Sequence, residues 1–135
     1  MTLLQEERNA IVRYRIGRAG EALREARDNF ALGHYNLVAN RLYYAVFYVC
    51  SALLISRGIV ANTHSGVMAM INMNFVKTGE LSEDEKQLIS QLFMMRQSGD
   101  YDDIFDWTKE DVESKIEPTE RFVKHLSELA RKDYI

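Results

Sequence analysis

The segment Arg96-Gln97-Ser98-Gly99-Asp100-Tyr101-Asp102-Asp103 places an arginine where the surrounding pattern favours an apolar side chain. An apolar stripe runs along residues 88–93, and Arg96 continues it four residues after Leu92. Arginine keeps its charge in proteins, so an inward-facing arginine needs a carboxylate, a phosphate or a cleft open to water. The aspartates that follow favour an internal clamp at the end of a helix, and a nucleotide or RNA phosphate is the functional alternative.

Two further groups could take part in chemistry. His64 stands at the start of a predicted helix, where a neutral imidazole is a usable acid–base group, although a capping or surface role is the simpler interpretation. Arg41 precedes Tyr44 by three residues within an aromatic belt whose simpler interpretation is core packing. The same rings could stack on nucleobases only if a basic groove surrounds them. The belt consists of Tyr43, Tyr44, Phe47 and Tyr48.

Several classes of site are not indicated by the sequence. There is no phosphate-binding glycine loop, no dinucleotide fingerprint and no zinc-binding pair of histidines. The three histidines are far apart, and the single cysteine, Cys50, lies in an apolar run typical of a buried side chain. We therefore expect no metal site and no cofactor.

Length and charge indicate one soluble domain covering residues 1–135. The net charge of −3 argues against broad electrostatic binding to nucleic acid. Six arginines nevertheless lie between Arg8 and Arg27, where a solvated helix face is the simpler interpretation and an acidic partner or RNA backbone the alternative. The longest apolar run, residues 42–55, is too short to span a bilayer, and the N-terminus lacks a signal-peptide layout. We expect a cytoplasmic protein with no membrane partner.

The periodicity predicts five helices and no strands, over residues 5–31, 35–57, 64–77, 82 to 96–99, and from 108 onwards, with a kink or break before Pro118. Short connections favour an all-α, up-and-down four-helix bundle with an additional C-terminal helix. The second helix is apolar nearly all round, which predicts a central position or a homodimer through the second and fourth helices. The core face predicted for the first helix consists of Ile11, Ala19, Ala22, Leu23, Ala26 and Phe30.

An ordered set of short segments resembles the HEPN domain family of nucleotide-binding helical bundles. This resemblance implies a HEPN-like bundle that often dimerises and often pairs with a small nucleotidyltransferase in a toxin–antitoxin-like system. It also implies that metal-independent ribonuclease activity is common among relatives, with an arginine followed four to six residues later by a histidine. The matching segments are Gly33-His34-Tyr35, Asn40-Arg41-Leu42-Tyr43-Tyr44, Leu53-Leu54, Gly58, Thr63-His64-Ser65-Gly66, and Arg96 with Asp100-Tyr101.

This chain departs from the ribonuclease pattern after Arg96. The positions expected to hold histidine are Tyr101, Asp102 and Asp103, which titrate far from neutral pH. The resemblance therefore predicts a non-catalytic or regulatory module that binds a nucleotide or a nucleotidyltransferase partner in a toxin–antitoxin-like pair. RNA is a further possible partner. The ligand-binding residues that we expect are Arg96, Asp100, Tyr101, Arg41 and Tyr44.

Two alternatives stay open. In the first, the fold brings His64 close to Arg96, and His64 replaces the missing histidine of a ribonuclease toxin. In the second and more remote alternative, His64 or His125 is the exposed imidazole of a histidine-phosphotransfer protein.

Overall fold

The computed structural model describes residues 4–101, apart from the side chain of Tyr101, and residues 106–132. Within these ranges all regular secondary structure is helical, and the all-α bundle expected from the sequence is confirmed. The helices are α1 (Gln5–Leu32), α2 (Tyr35–Ser56), α3 (His64–Ile71), α4 (Glu83–Tyr101) and α5 (Lys109–Arg131), with a π-helical turn (Asn72–Val76) directly after α3.

Helix α2 forms the centre of the bundle. It packs against α1, α3, α4 and α5, and its side chains from Val38 to Leu54 supply more than a third of the buried apolar residues, the largest share of any helix. By length and composition α2 could cross a membrane, but 67 % of its most apolar window is buried inside the bundle, as is typical of a core helix. The predicted central position is therefore confirmed.

Helix α1 lies along α2 through a stripe of small residues. Ala19, Ala22 and Ala26 are fully buried, and their spacing places them on one face of the helix. Small side chains let two helices approach closely, since the interaxial distance depends on the residues at the contact. The prediction of Ile11 in this stripe was wrong: Val12 is buried, seven residues before Ala19, and Ile11 is only partly buried.

The ends of the helices follow the capping residues. Gly33 adopts a φ of 80° and ends α1, as predicted. Ser82 and Glu85 exchange hydrogen bonds at the start of α4, where the Ser82 hydroxyl accepts from Glu85 N–H and the Glu85 carboxylate accepts from Ser82 N–H. Thr108 and Asp111 form the same reciprocal arrangement at the start of α5.

Two predicted boundaries were wrong. The third helix does not continue to residue 77 as an α-helix, because the chain widens into the π-helical turn from Asn72. Helix α4 does not end between residues 96 and 99 but at Tyr101. Asp100 therefore lies inside the helix, one turn after Arg96, where i and i+4 side chains meet.

The break expected before Pro118 is absent, since α5 runs from Lys109 to Arg131 with this proline inside it. A proline removes one backbone hydrogen bond. Buried side chains on both sides of Pro118, including Ile116 and Phe122, keep the two halves of α5 against α2. The Thr119 hydroxyl also donates a hydrogen bond to the Lys115 carbonyl, at 2.6 Å, within the affected turn.

Candidate functional site

A pair of adjacent tyrosines on α2 forms the floor of the candidate site. Tyr43 is fully buried, and its ring meets that of Tyr44 edge to face, with 5.3 Å between the centroids. Burial raises the pKa of the Tyr43 phenol to about 12, so this hydroxyl stays neutral at physiological pH. Helices α3 and α4 each bring one titratable or charged side chain to this pair.

Helix α4 supplies Arg96. Its Nη2 donates to the Tyr44 hydroxyl at 3.0 Å, and its Nε donates to Asp100 Oδ2 at 3.2 Å. The guanidinium carbon lies 5.6 Å from the Tyr43 ring centroid and 5.4 Å from that of Tyr44, within the range of cation–π attraction. Only 14 % of the Arg96 side chain is exposed, so the clamp to Asp100 predicted from the sequence is present and largely shielded from water.

Asp100 connects this arginine to a second one. Asn40 Nδ2 donates to the same Asp100 Oδ2 at 2.8 Å, and the amide oxygen of Asn40 accepts from Nε and Nη2 of Arg41 at 3.0 and 2.8 Å. The Arg41 guanidinium lies 5.3 Å from the centroid of the Tyr44 ring. Arg41 also pairs with the Glu25 carboxylate, at 3.1 Å. Two cations therefore lie against Tyr44, and two carboxylates and one amide hold them in place.

Helix α3 supplies His64. Its Nδ1 lies 3.0 Å from the Tyr43 hydroxyl, and its ring stacks on Phe47 with 4.2 Å between the centroids. Burial lowers the pKa of this imidazole below its ordinary value of 6.5, and the positive charge of Arg96 lowers it further. His64 is therefore neutral at pH 7.

The local sequence around His64 explains its position. Thr63 caps α3 by accepting a hydrogen bond from Gly66 N–H at 2.9 Å, which makes His64 the first helical residue. A Cβ atom at Gly66 would lie only 2.9 Å from the Thr63 hydroxyl oxygen. The capping hydroxyl therefore leaves no room for a side chain at this position unless one of the two residues moves. This turn directs the imidazole onto α2.

The end of α4 is held against the start of α2 by Trp107. The indole N–H donates to the Met95 carbonyl at 2.8 Å, and the Trp107 backbone N–H donates to the amide oxygen of Asn36 at 2.8 Å. A Cβ atom at Gly99 would lie 3.3 Å from the indole and 3.4 Å from the Asn36 side chain. This close approach requires a residue without a side chain, and it fixes the turn that carries Arg96 and Asp100.

The structure brings together most of the residues singled out in the sequence. We call this group the tyrosine–arginine cluster, and it consists of Asn40, Arg41, Tyr43, Tyr44, Phe47, His64, Arg96 and Asp100. The side chain of Tyr101 and the whole of Asp102 and Asp103 lie outside the described residues. The sequence analysis did not assign Asn40, Tyr43 or Phe47 to the site. Their signal was present in the spacing of residues 40, 43 and 47, which occupy one face of a helix.

The cluster can act on anions and aromatic groups. It combines arginine donors, neutral phenol hydroxyls and a neutral imidazole beside partly exposed rings. Among the described residues, no group of three or more His, Cys, Asp or Glu side chains could hold a metal ion. The arrangement is thus suited to hold a phosphate with Arg96, to stack a base, and to transfer a proton through His64.

The other histidines have surroundings of a different kind. The His125 ring on α5 lies 2.6 Å from the carboxylate of Glu85, which is in the first turn of α4. His34 is an exposed residue at the start of α2. His64 is packed on Phe47 rather than exposed in the middle of a helix. The stacking of His64 and the contact of the His125 ring with Glu85 argue against the histidine-phosphotransfer alternative, which needs an imidazole that is free to receive a phosphoryl group.

Comparison with known proteins adds a family and a fold. Residues 12–129 match the HEPN domain family. A UPF0332 protein of Thermotoga maritima is 34 % identical over 123 residues, which cover 91 % of this chain and 93 % of that protein. A protein of Methanocaldococcus jannaschii described as a candidate toxin is 33 % identical over 98 residues, covering 73 % of this chain and 67 % of that protein. A second candidate toxin of the same organism is 29 % identical, with coverage of 95 % and 92 %.

Among solved structures, TT1696 from Thermus thermophilus superposes with a TM-score of 0.75 at 19 % sequence identity. The match covers 87 % of this chain and 97 % of that one. At this level of identity the likeness concerns the fold alone, and it agrees with the helical bundle described above.

Proposed function

Because this chain belongs to the HEPN domain family, we propose that it is a toxin-like HEPN module that binds a phosphate of RNA or of a nucleotide at the tyrosine–arginine cluster. The observation that carries the proposal is the position of Arg96, which approaches the Tyr43–Tyr44 pair from α4 while His64 approaches it from α3. Two relatives described as candidate toxins support the toxin-like assignment.

Phosphate binding at Arg96 is supported by two of the hydrogen bonds that its guanidinium makes. Its Nη2 donates to the neutral Tyr44 hydroxyl, whereas Asp100 accepts from Nε. A phosphate oxygen is charged and accepts a stronger hydrogen bond than a phenol, so it can replace Tyr44 on Nη2. Asp100 would stay on Nε and keep the arginine oriented, and the phenol would turn to donate to the phosphate.

A second candidate function, metal-independent cleavage of RNA, is favoured by one specific observation. His64 is neutral at pH 7 and shares the Tyr43–Tyr44 pair with Arg96. A neutral imidazole can take the proton of a ribose 2′-OH, whose oxygen then attacks the adjacent phosphorus while Arg96 stabilises the phosphate charge. The 5′-oxygen leaves with a proton from the imidazolium or water, and the products are a 2′,3′-cyclic phosphate and a 5′-hydroxyl.

The biological setting is part of the same proposal. We place the protein in the cytoplasm as one member of a toxin–antitoxin-like pair, with a small nucleotidyltransferase as its partner. The partner would recognise the α2–α4 surface around the tyrosine–arginine cluster, because covering that surface also blocks access to Arg96. Coexpression with such a partner should give a stable complex that no longer binds RNA.

The decisive experiment measures binding and cleavage on the same samples. A fluorescent single-stranded RNA is titrated with purified protein in EDTA, followed by anisotropy, and the mixtures are then resolved on a denaturing gel. Arg96→Gln should weaken binding at least about tenfold, because a charge-assisted hydrogen bond to the phosphate is lost. Arg121→Gln is the matched control, since Arg121 lies on α5 and is 71 % exposed.

The possible results separate the two functions. Binding that depends on Arg96, without cleavage, supports the binding module. Cleavage in EDTA that is lost in both Arg96→Gln and His64→Gln supports the ribonuclease. Equal RNA binding by the wild type and Arg96→Gln would reject the cluster as the phosphate site.

A further inference from the structure

A second surface adjoins the tyrosine–arginine cluster on the side of α1. It is a groove of about 660 Å³ between the outer face of α1 and the middle of α2. Nothing in the assignment of the cluster makes use of it. Its lining residues are Ala10, Ile11, Tyr14, Arg15, Arg18 and Tyr48.

The groove and the cluster share a continuous row of rings. Tyr48, which lines the groove, lies 6.1 Å from Tyr44 and 6.1 Å from Phe47 between ring centroids, and both of these belong to the cluster. Tyr48 follows Tyr44 by one turn of α2, which is about 6 Å along the helix. A chain-like ligand held at Arg96 can therefore extend along α2 into the groove.

The groove carries positive charge that is only partly paired, since Arg18 has one long ion pair with the exposed carboxylate of Glu21. Arg18 donates to the Tyr48 hydroxyl at 3.2 Å and lies 5.2 Å from the centroid of that ring, while its carboxylate contact, Glu21, is 3.7 Å away. Arg15 donates to the hydroxyl of Ser51 rather than to a carboxylate. Neutral hydroxyls position both guanidinium groups and leave their charge available to an anionic ligand.

The groove also presents an exposed aromatic ring. Tyr14 is 67 % exposed, so its ring takes little part in the core. Exposed rings beside arginines form the combination that binds single-stranded nucleic acid, since the rings stack on bases and the arginines contact phosphates. The protein as a whole carries a net charge of −3, which would disfavour binding of such a ligand away from this arginine-bearing face.

We propose that single-stranded RNA bound at the tyrosine–arginine cluster continues through this groove, with phosphates on Arg15 and Arg18 and bases on Tyr14 and Tyr48. The inference rests on the proposed function, because the cluster fixes one end of the path. It narrows the ligand from a nucleotide or RNA to an RNA strand. A mononucleotide would fill the cluster alone, whereas an RNA strand would occupy both the cluster and the groove.

The test compares a short and a long probe on the same variants. The short probe is the dinucleotide UpU, labelled with a fluorophore, and the long probe is a uridine oligonucleotide that carries the same label. Arg18→Gln and Tyr14→Ala change exposed parts of the groove. Arg24→Gln removes an exposed arginine from the same helix outside the groove and is the charge-matched control.

We expect the groove variants to weaken binding of the oligonucleotide about tenfold and to leave binding of UpU unchanged. Arg18→Gln should also lower the slope of log affinity against log salt by about one, while Arg24→Gln should not. Folding of each variant is verified by circular dichroism and thermal melting.

Two results would overturn the inference in different ways. If UpU binds in an Arg96-dependent manner but the groove variants bind the oligonucleotide like the wild type, the groove is rejected and the proposed function stands. If neither probe binds while polyglutamate binds in an Arg18-dependent manner, the groove belongs to an acidic protein partner, and the proposed function fails with it.

Discussion

At the scale of single residues, Arg96 influences both of its neighbours through charge. It keeps Asp100 in place on one side, and on the other it lowers the pKa of His64, although burial lowers that pKa more. The same guanidinium thus contributes to the stability of α4 and keeps the imidazole neutral. These two effects can be separated by experiment.

We expect Arg96→Ala to lower the free energy of unfolding by about 1–3 kcal/mol, because largely buried hydrogen bonds to a carboxylate and a phenol are lost. Urea denaturation measures the change. Arg121→Ala is the control, since its pair with Glu117 is 71 % and 79 % exposed, and its effect should stay within about 0.5 kcal/mol. An Arg96→Ala variant as stable as the wild type would show that this clamp contributes nothing to the fold.

We expect the pKa of His64, followed by NMR, to lie below 6.5 in the wild type and to rise in Arg96→Ala without reaching 6.5, because burial is the larger cause. A pKa that does not respond to this substitution would contradict the shared site.

The same lowered pKa predicts a pH dependence of stability. When the pH falls through 6.5 towards the folded-state pKa, the unfolded chain binds a proton before the folded one does, so the folded protein loses stability in that window. Above pH 6.5 both states are neutral at His64 and this contribution is constant. His64→Gln should show a smaller loss between pH 7.5 and pH 5 in urea denaturation. Parallel curves for the two proteins would contradict the lowered pKa.

At the scale of helices, the caps determine where each element begins, and one cap positions a residue of the site. Thr63 sets the start of α3 at His64, whereas Ser82 sets the start of α4 at a distance from Arg96 along the same helix. Both caps are exposed hydroxyls that accept a hydrogen bond from the backbone N–H three residues later. Substitutions of Thr63 and Ser82 can therefore be compared directly to test whether the geometry of a helix cap affects the tyrosine–arginine cluster.

We expect Thr63→Ala and Ser82→Ala each to lower the free energy of unfolding by about 1 kcal/mol, which is typical of a lost N-cap. Only Thr63→Ala should also weaken RNA binding, because only this substitution releases the turn that holds the His64 ring on Phe47. Thermal melting and anisotropy measure the two effects. Equal RNA binding by both variants would show that the position of His64 does not matter for the ligand.

Local signals were sufficient to predict most of the helix boundaries. Gly33, Ser82 and Thr108 act within one turn of their own position, so their effect can be deduced from neighbouring residues. The continuation of helix α5 through Pro118 could not be predicted in this way, because packing of α5 against α2 outweighs the backbone hydrogen bond that the proline removes. The same applies to the end of α4, which depends on the approach of Trp107 to Gly99.

The candidate site could be predicted only in parts. The inward position of Arg96 followed from the apolar stripe, and a clamp to one of the following aspartates was expected, although not that Asp100 would lie inside α4 one turn after Arg96. The meeting of His64 with Arg96 could not be deduced, because they are 32 residues apart in the sequence. Their proximity depends on how α3 and α4 each pack against α2, which is a tertiary property with no periodic signal.

At the scale of the whole molecule, the distribution of exposed apolar side chains bears on assembly. Neighbouring helices cover most of the apolar surface of α2, which leaves Leu37 (49 % exposed) and the half-buried rings of Tyr44, Phe47 and Tyr48 for the dimer contact that its composition suggested. Helix α4 exposes Phe93 (40 %) and Met94 (58 %), next to the turn that carries Arg96. A homodimer, which remains a prediction, would therefore form mainly through α4.

We expect sedimentation velocity at micromolar concentration to show a dimer for the wild type and a monomer for Met94→Glu, because an exposed charge replaces an apolar contact. Met73→Glu is the control, since Met73 is 54 % exposed on the π-helical turn. A wild-type monomer under these conditions would reject the dimer, and dissociation of both variants would place the contact elsewhere.

The single cysteine has a practical consequence. Cys50 is fully buried in the middle of α2, and burial raises the pKa of its thiol. A reagent that modifies thiols can reach it only when the bundle opens around its central helix. The rate of modification in native buffer therefore reports how often the core opens around Cys50, and the measurement needs neither denaturant nor an engineered cysteine. The modification rate of Cys50 can be compared between the variants and ligands discussed above. A slower rate means that the core around α2 opens less often.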